Sequence, residues 1–415
     1  MQKPLTGVKV IELATWIAIP FCARLFADWG ADVIKVESKE GGGIRFAAEQ
    51  EGRPLTQYEN VAFDIENANK RGLAIDLKTS EGYDVMMRLL ENADVFLTNL
   101  RVQALQKLGL DYETLHAKFP SLVFGIVTGY GLEGPDKDLP GYDLPAFFSR
   151  SGILGSLYEK GTMPMNPLIG FGDHTTGMFL APGVLAALIH AKNTGEGELV
   201  SNSLFHSAIF VQSMLILAAQ YTETANKWPI SRRDAQNPLN NAFETKDGRW
   251  LQFAMPLMDK FFPRFMEAIG RPDMIGNPKY TEENIAKTKC QSEVYDVVKE
   301  QIAKKTYKEW AVIMKECDVP YSLAQVWEEV LEDPQAWASH IFHKIKYEAT
   351  GKERTMIRPP VIFKELGLSD YKHGPLLGEH SREIIEELGY TSEEVEDMQK
   401  KEVFVEWKDI AHMYK

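Results

Sequence analysis

The sequence predicts an α/β fold, with a large domain built on a parallel β-sheet and a smaller α+β domain after it. The first observation behind this prediction is the order strand, helix, strand over residues 8–13, 20–29 and 31–37. Two strands joined by a crossover helix lie parallel in one sheet. The second observation is the length of 415 residues, which exceeds what one simple core organises, so we expect two domains.

The elements of the large domain follow from local patterns. Residues 8–13 and 31–37 are apolar runs of strand length, and the helix over 20–29 starts with Pro20, which suits a first helical turn. The alternation continues with strands at 73–77, 94–98 and 122–128 and helices at 80–92 and 111–116. Residues 129–172 carry much of the glycine and proline, and an irregular stretch of this length favours a function or a partner contact.

The middle of the chain changes to a helical pattern. Residues 178–191 are small and apolar, as in a closely packed helix. Residues 203–221 are apolar on most faces, which predicts burial between layers or between subunits, and we interpret His206 in this run as a satisfied core histidine. Residues 222–238 are polar and broken, which indicates a linker.

A hairpin pattern begins the second domain. Residues 242–245 and 250–254 flank Lys246-Asp247-Gly248-Arg249, which has Asp-Gly turn chemistry. Helices follow at 259–269, 290–304 and 307–317, and strand-like pieces at 341–347 and 356–363 precede a charged helical region at 381–401. We predict a small domain at residues 226–330, with 1–225 before it and 331–415 after it.

Composition and motifs exclude several classes of function. The net charge of -13 argues against a nucleic-acid partner. The most apolar run, 178–190, is too short to span a membrane, and the N-terminus has no signal-peptide pattern. Cys22, Cys290 and Cys317 have neither disulfide nor metal spacing, and no zinc-protease, P-loop or serine-hydrolase motif occurs. We therefore expect a cytoplasmic protein that uses no metal.

The candidate catalytic residue is Asp173, in the run Phe171-Gly172-Asp173-His174-Thr175-Thr176-Gly177. A helix pattern follows this run, so the carboxylate is expected near the amide donors and positive dipole end of a helix N-terminus. Such a setting holds an anion ready for nucleophilic attack while water is kept away. The alternative is an ordinary Asp N-cap. His174 is a candidate base or hydrogen-bond donor, but adjacent helix positions point in different directions, so we expect no direct pairing of the two side chains.

Basic residues follow several ends of the predicted strands, where open α/β sheets bind their ligands. They are Lys35, Lys39, Lys70, Arg71, Lys78, Arg101 and Lys107. Such a set suits a phosphorylated cofactor, and Arg101, just after the strand at 94–98, is the strongest candidate; the alternative is a set of solvated surface side chains. A dinucleotide site is disfavoured, because the GxGxxG run at 129–134 is followed by Pro135-Asp136-Lys137-Asp138 and no helix. Glu37, at the end of the second strand, is weak evidence for ribose binding.

Five ordered blocks resemble the class III (family III) CoA-transferases over nearly the whole chain. The blocks are residues 4–13, residues 30–37, Asn67-Ala68-Asn69-Lys70-Arg71 with Asp76-Leu77-Lys78, Pro140-Gly141-Tyr142-Asp143 with Gly172-Asp173, and Gly374-Pro375-Leu376-Leu377-Gly378-Glu379-His380 with Leu388-Gly389-Tyr390. The last block is the most specific. The resemblance implies a Rossmann-like large domain built from both chain ends, so that residues 331–415 return to it, and ring-like protomers interlocked in a homodimer.

The resemblance also implies roles for individual residues. Asp173 matches the nucleophile, and the positions that match CoA contacts are Ala18, Lys78, Asn99, Leu100, Arg101 and Lys107. Ser38 stands where some members have an arginine for the adenosine phosphate, and Lys39 is its candidate substitute. No cofactor is expected to stay bound, because coenzyme A thioesters are the substrates.

Residues 130–141, 157–162 and 229–234 resemble transferases that act on (R)-2-hydroxy acids in amino-acid fermentation. The expected reaction moves CoA from an enoyl-CoA, such as cinnamoyl- or isocaprenoyl-CoA, to the hydroxy acid, with a functional link to a 2-hydroxyacyl-CoA dehydratase. Two alternatives stay open: an acyl-CoA racemase that pairs Asp173 with a histidine, and a non-catalytic CoA-binding subunit of a dehydratase complex. Candidates for the pocket of the acid are Phe147, Phe148, Tyr158, Met165 and Phe171.

Overall fold

A computed structural model describes residues 3–47, 58–221, 228–367 and 371–414. The chain divides into two compact units. The larger unit contains Met1–Ile153, Pro167–Ile216 and Pro334–Lys415, and the smaller unit contains Leu154–Asn166 and Leu217–Asp333. The smaller unit thus includes residues 154–166, which the sequence analysis left in the large domain.

The larger unit is built on a seven-stranded sheet in the order β12-β3-β2-β1-β4-β5-β6. Its strands are β1 (Lys9–Leu13), β2 (Asp32–Glu37), β3 (Arg71–Ile75), β4 (Val95–Thr98), β5 (Val123–Thr128), β6 (Leu199–Ser203) and β12 (Phe404–Val405). Strands β1 to β6 are parallel, and only β12 is antiparallel to its neighbour. The predicted parallel sheet is confirmed, in the strand order of doubly wound nucleotide-binding folds.

Helices cover both faces of this sheet. Those of the larger unit are Ala18–Asp28, Val61–Asn67, Ser80–Glu91, Val102–Leu108, Tyr112–Lys118, Ile153–Ser156, Phe171–Thr194, Leu204–Val211, Ser213–Ala218 at the boundary, Pro334–Ala338, Ser381–Glu387, Ser392–Lys400 and Trp407–Ile410, with a π-helix at Asp143–Ser149. Ala18–Asp28, called α1 below, and Phe171–Thr194, called the long helix, share one core. The helices Ser80–Glu91 and Ser392–Lys400 contribute to the core on the other face. Both faces of the sheet are therefore buried, which explains the continuous apolar strands.

The C-terminal segment packs on the first part of the larger unit. Strands β10 (Phe342–Tyr347) and β11 (Lys352–Ile357) form an antiparallel hairpin. The Ser381 hydroxyl accepts a hydrogen bond from the backbone N–H of Ala74 in β3 at 3.1 Å, and His380 Nδ1 accepts one from Gly72 N–H at 3.2 Å. His380, the last residue of the block at 374–380, and the neighbouring Ser381 are therefore bonded to β3, the strand beside the edge strand β12.

The smaller unit has a three-stranded antiparallel sheet, β7 (Ala242–Glu244), β8 (Trp250–Phe253) and β9 (Tyr321–Leu323). Its helices are Met258–Ala268, Ile285–Thr288, Gln291–Ile302, Tyr307–Cys317 and Trp327–Glu332. The predicted hairpin is confirmed, and Gly248 has the positive φ of 73° that its turn needs. Trp310 is fully buried in the core and donates its indole N–H to the Ile302 carbonyl.

The apolar run at 203–221 is not buried between layers, so that part of its prediction is wrong. It forms the helices Leu204–Val211 and Ser213–Ala218, in which Phe210 is 62% exposed and Met214 is 85% exposed. His206 is also exposed, which corrects its interpretation as a core histidine. Residues 222–227 of the predicted linker lie outside the described part of the chain.

The long helix is the one helix among the described residues with the length and composition of a membrane span. It is longer than the apolar run at 178–190, which alone is too short to span a membrane. Length and composition are weak evidence, because core helices pass the same test. Its buried residues Leu180, Val184 and Leu188 lie in the core that it shares with α1, as expected of a core helix.

Candidate active site

A cavity of about 490 Å³ opens where β1 and β4 end. These two neighbouring strands lead to connections that run in opposite directions across the sheet, which is where open α/β sheets bind ligands. Its wall comes from the loop after β1, the loop after β4, the 129–144 segment and the start of the long helix. The volume is typical of small-molecule sites.

Reciprocal hydrogen bonds fix the two strand-end loops to each other. The Thr15 backbone N–H donates to Asn99 Oδ1 at 3.0 Å, and Asn99 Nδ2 donates to the Thr15 carbonyl at 2.7 Å. The Thr98 hydroxyl donates to the Leu13 carbonyl at 2.8 Å. These bonds hold the floor of the cavity in one arrangement before any ligand arrives.

Asp173 lies in the first turn of the long helix and lines this cavity. It is not the N-cap, so the alternative reading of Asp173 as a capping residue is wrong. The cap position belongs to Gly170, at φ 89°, and the helix start is held by Asp143, whose Oδ2 accepts from Gly170 N–H at 2.8 Å and from Gly172 N–H at 3.3 Å. Because Asp143 takes these amide donors, the Asp173 carboxylate is left to face the cavity.

A close helix contact places Asp173 beside the N-terminus of α1. Gly177 is four residues after Asp173, so the two lie on the same helix face. A Cβ atom at Gly177 would lie 2.4 Å from the Ala18 carbonyl oxygen, a distance that only glycine allows. No side chain caps α1 at Ile17, and the amides of a first helical turn have no acceptor within the helix. Donors are therefore available near the carboxylate.

The electrostatic environment of Asp173 is unusual. Burial, with the nearby Asp143 carboxylate as a second cause, raises the pKa of Asp173 to about 7, and His174 opposes this change. Burial also raises the pKa of Asp143, against the lowering effect of its two backbone hydrogen bonds. Asp173 thus titrates near neutral pH, as expected of a weakly solvated reactive group.

His174 points away from the cavity. Its Nε2 lies 2.7 Å from Glu66 Oε1, and its ring packs against Phe21 with centroids 4.5 Å apart. His174 does not line the cavity, and no histidine is found among the residues that do. The expectation that the side chains of Asp173 and His174 diverge is consistent with this arrangement.

The residues predicted to contact CoA fall into three groups. Ala18, Asn99, Leu100 and Arg101 line the same cavity as Asp173. Lys78 lines a second cavity of about 450 Å³ beside the ends of β1, β2 and β3, together with Ser38 and Lys39, and the two cavities share Thr15 and Leu100. Lys107 lines neither cavity.

Several cations that the sequence analysis grouped as phosphate ligands are engaged elsewhere. Lys35 and Lys70 are buried and donate to the two oxygens of Glu12 at 2.7 and 2.6 Å. Arg71 pairs with Asp32 at 2.7 Å, and with Glu383 and Glu387. Lys39 Nζ donates to the Glu402 carbonyl at 2.7 Å.

The acidic residue at the end of β2 is also engaged. Both oxygens of Glu37 accept from Arg45, in a buried pair. Burial raises the pKa of Glu37, but the charge and hydrogen bonds of the Arg45 guanidinium lower it further, to about 2. The carboxylate is therefore a structural ion rather than a ribose ligand.

The remaining sequence expectations have mixed outcomes. None of the five residues suggested for an apolar acid pocket lines the cavity, and Phe147 and Phe148 are buried against each other. The loop 129–134 contributes Gly129 and Gly131 to the cavity wall, and no helix follows it before Asp143. Among the described residues, no cluster of three or more His, Cys, Asp or Glu side chains has the arrangement of a metal site.

Comparison with known proteins decides the family. The model of CoA-transferase family III matches residues 5–381. The chain belongs to this family. It is 48% identical over 395 residues to the cinnamoyl-CoA:phenyllactate CoA-transferase of Clostridium sporogenes, covering 95% of this chain and 96% of that protein. It is 40% identical over 402 residues to the (R)-2-hydroxy-4-methylpentanoate CoA-transferase of Clostridioides difficile, covering 96% and 99%.

Solved structures agree with this family assignment. The chain resembles the crystal structure of a CAIB/BAIF family protein from Brucella suis with a TM-score of 0.80 and 27% identity. The alignment covers 94% of this chain and all of that one. The chain therefore has the α/β fold of the family III CoA-transferases.

Proposed function

We propose that this enzyme transfers CoA from an acyl-CoA to an (R)-2-hydroxy carboxylic acid through an aspartyl-CoA thioester on Asp173. The observation that carries the proposal is the position of this carboxylate, in a cavity at the switch point of the sheet, with a pKa raised to about 7. A carboxylate that is weakly solvated and held next to helix N–H donors suits nucleophilic attack on a thioester.

The reaction runs through two anhydrides. Asp173 attacks the thioester carbonyl of the donor, which forms a mixed anhydride and expels CoA thiolate. The thiolate attacks the aspartyl carbonyl, which gives the aspartyl-CoA thioester and releases the donor acid. The incoming hydroxy acid attacks this thioester and expels CoA thiolate again. The thiolate then attacks the acyl carbonyl of the new anhydride, which yields the product thioester and restores the Asp173 carboxylate.

The site contributes alignment and charge stabilisation. The acids and thioesters on the two sides of the reaction are nearly equal in energy, so neither ATP nor a metal is needed. The free amides at the start of α1, near Ala18, suit an oxyanion that forms during each attack. One such donor contributes roughly 3 kcal/mol in enzymes where it has been removed. The positioning of bound CoA beside the anhydride makes the thiolate attack effectively intramolecular.

The two cavities suit a molecule with the length of CoA. The cavity with Asp173 holds the reacting end, with Asn99, Leu100 and Arg101 along the pantetheine path. The second cavity, with Ser38, Lys39 and the exposed Lys78, suits the phosphates. Lys39 retains donor capacity beyond its bond to the Glu402 carbonyl, since an ammonium has three N–H groups. Lys107, in neither cavity, stays a candidate contact only.

The substrate class follows from the relatives. The two curated transferases with 48% and 40% identity are named for phenyllactate and for (R)-2-hydroxy-4-methylpentanoate. We therefore infer a 2-hydroxy acid with an aromatic or branched side chain, and a donor such as cinnamoyl- or isocaprenoyl-CoA. A cytoplasmic role in amino-acid fermentation, beside a 2-hydroxyacyl-CoA dehydratase, is part of this proposal.

A racemase is the weaker alternative. It needs an acid/base partner for Asp173 across the α-carbon, and a histidine was the expected partner. His174 is bonded to Glu66 instead, and the described residues that line the cavity include no histidine. A non-catalytic subunit is also disfavoured, because it would have no use for a desolvated carboxylate in the cavity.

We propose that the functional form is an interlocked homodimer. The helices Leu204–Val211 and Ser213–Ala218 expose Phe210, Val211 and Met214. An apolar patch of this kind is typical of a protein interface. The larger unit is assembled from segments on both sides of the smaller unit in sequence.

The Asp173→Ala variant tests the proposal. We expect it to bind CoA as the unmodified enzyme does but to lose transfer from cinnamoyl-CoA to phenyllactate by at least about 10³-fold. A panel of aromatic, branched and short hydroxy acids with the same donor identifies the substrate. Transfer that survives in Asp173→Ala contradicts the proposed nucleophile, and α-proton exchange without transfer favours the racemase.

A further inference from the structure

Glu66 is a buried carboxylate whose ion-pair partner among the described residues is His174. Its side chain is 2% exposed, and its Oε1 lies 2.7 Å from His174 Nε2. Its other oxygen is buried and has no hydrogen-bond partner in the described part of the chain. Burial of a carboxylate without a positive neighbour is costly.

The nearby ammonium does not take this role. Lys70 lies close enough for Glu66 to influence it, but its Nζ donates to Glu12 Oε2, to the Pro20 carbonyl and to Asn67 Oδ1. A lysine has three N–H donors, and all three are used. His174 is therefore the direct side-chain partner of Glu66 among the described residues.

The surroundings of His174 also favour its protonated form. Its ring packs against Phe21, with the ring centroids 4.5 Å apart. Burial lowers the pKa of His174. The hydrogen bond to Glu66 and the negative charges of Glu66, Asp173 and Asp143 raise it by more, so the net change is upward.

The other charged groups on the elements around this pair have partners of their own or are exposed. On the helix that carries Glu66, Asp64 accepts hydrogen bonds from the Tyr347 hydroxyl and the Gly374 N–H. On α1, Arg24 and Asp28 pair with each other at 3.1 Å. The π-helix Asp143–Ser149 contributes Asp143, and the helix Leu204–Val211 contributes the exposed His206. Strands β5 and β6, which pack on the long helix, carry no ionisable side chain.

We propose that Glu66 and His174 act as a positioning pair for the nucleophile. Glu66 holds His174 as an imidazolium, and the imidazolium charge favours the ionised form of the adjacent Asp173 carboxylate, which is partly buried. The inference rests on the proposed role of Asp173. Neither Glu66 nor His174 lines the cavity, so the pair acts through Asp173 and not on the substrate.

The pH profile of kcat/KM tests this role. In the unmodified enzyme the acidic limb reports the ionisation of Asp173. His174→Gln keeps a donor for Glu66 but removes the charge, so the limb should move to higher pH by about one unit. Transfer at a pH well below the limb then falls about 10-fold, while the rate on the alkaline plateau is retained.

Two further variants separate this role from a structural one. Glu66→Gln should move the limb less than His174→Gln does, because loss of the Glu66 charge weakens the imidazolium but also removes a charge that raises the pKa of Asp173. The double variant should add little to the shift of His174→Gln, because the two residues act as one unit. His190→Gln, at an exposed position on the same helix, is the matched control and should leave the profile unchanged.

Two outcomes overturn the inference. One is a folded His174→Gln enzyme with an unshifted limb, and the other is a loss of activity by the same factor at every pH. A fully active Asp173→Ala enzyme would instead remove the proposed function itself, so the two failures are distinguishable.

Discussion

Replacement of Asp173 by Asn should stabilise the protein above neutral pH. Burial raises the pKa of Asp173 from 3.8 to about 7. An acid with a raised pKa binds its proton more tightly in the folded state, and this proton binding stabilises the fold. The stabilisation is fully present below pH ~4, the pKa of the unfolded chain, and is lost as the pH rises from there through ~7. Asn carries no charge and does not lose this contribution.

The magnitude follows from the size of the shift. A change of about three pKa units corresponds to roughly 4 kcal/mol as an upper bound, at 1.36 kcal/mol per unit. Asp173 is only partly buried and lines an open cavity, so screening by solvent reduces this figure to about 2 kcal/mol. For a chain of 415 residues this equals an increase of about 2 °C in melting temperature.

Thermal unfolding at pH 5 and pH 8.5 measures more than half of the effect, because most of the interval from pH 3.8 to about 7 lies above pH 5. The stability of Asp173→Asn relative to the unmodified protein should rise between these two pH values. The other buried acids, such as Asp143, are present in both proteins, so this difference reports Asp173 together with the neighbouring charges that it influences, such as His174. An Asn variant that gains nothing on going from pH 5 to pH 8.5 would refute the reasoning that the carboxylate is poorly solvated.

Three further variants address the neighbours of Asp173. Asp143→Asn removes the negative charge that raises the pKa of Asp173, so the acidic limb of kcat/KM should move to lower pH, opposite to the effect of His174→Gln; a shift to higher pH contradicts this. Arg101→Ala should raise KM for the acyl-CoA by about 10-fold, which corresponds to the loss of one charge-assisted hydrogen bond, and should leave kcat nearly unchanged. The control is Lys118→Ala, at an exposed position that does not line the cavity. Gly177→Ala places a Cβ 2.4 Å from the backbone of α1 and should cost at least about 2 kcal/mol in urea unfolding. The control is Gly155→Ala, which has no positive φ and meets no atom within 4 Å, so it should cost less.

Local patterns were sufficient for the scaffold. Apolar periodicity, proline positions and turn residues are local signals, because they depend only on residues that are neighbours in sequence. They were sufficient to predict the strands at 8–13 and 31–37, the hairpin around Gly248 and the helix at 307–317. Asp173 was identified because its glycine-rich run precedes a helix pattern. That signal could not distinguish a capping carboxylate from a free one.

Long-range pairing limited the prediction of the site. Lys35 and Lys70 resemble surface cations in sequence, and only the fold brings both onto Glu12. Asp143 and Glu66 had no assigned role, because their partners at the start of the long helix are 27 to 108 residues away. His206 lies in an apolar run, and apolar character alone did not reveal that this run faces outward.

The most direct test of the account is the mass of the peptide that carries Asp173. The enzyme is incubated with cinnamoyl-CoA alone, quenched with hydroxylamine or borohydride, and digested. If Asp173 is the nucleophile, we expect a modification at this residue that requires the donor thioester and is absent in the Asp173→Ala enzyme. An active enzyme that never carries an adduct at this position, or that carries it on another residue, would contradict covalent catalysis by Asp173.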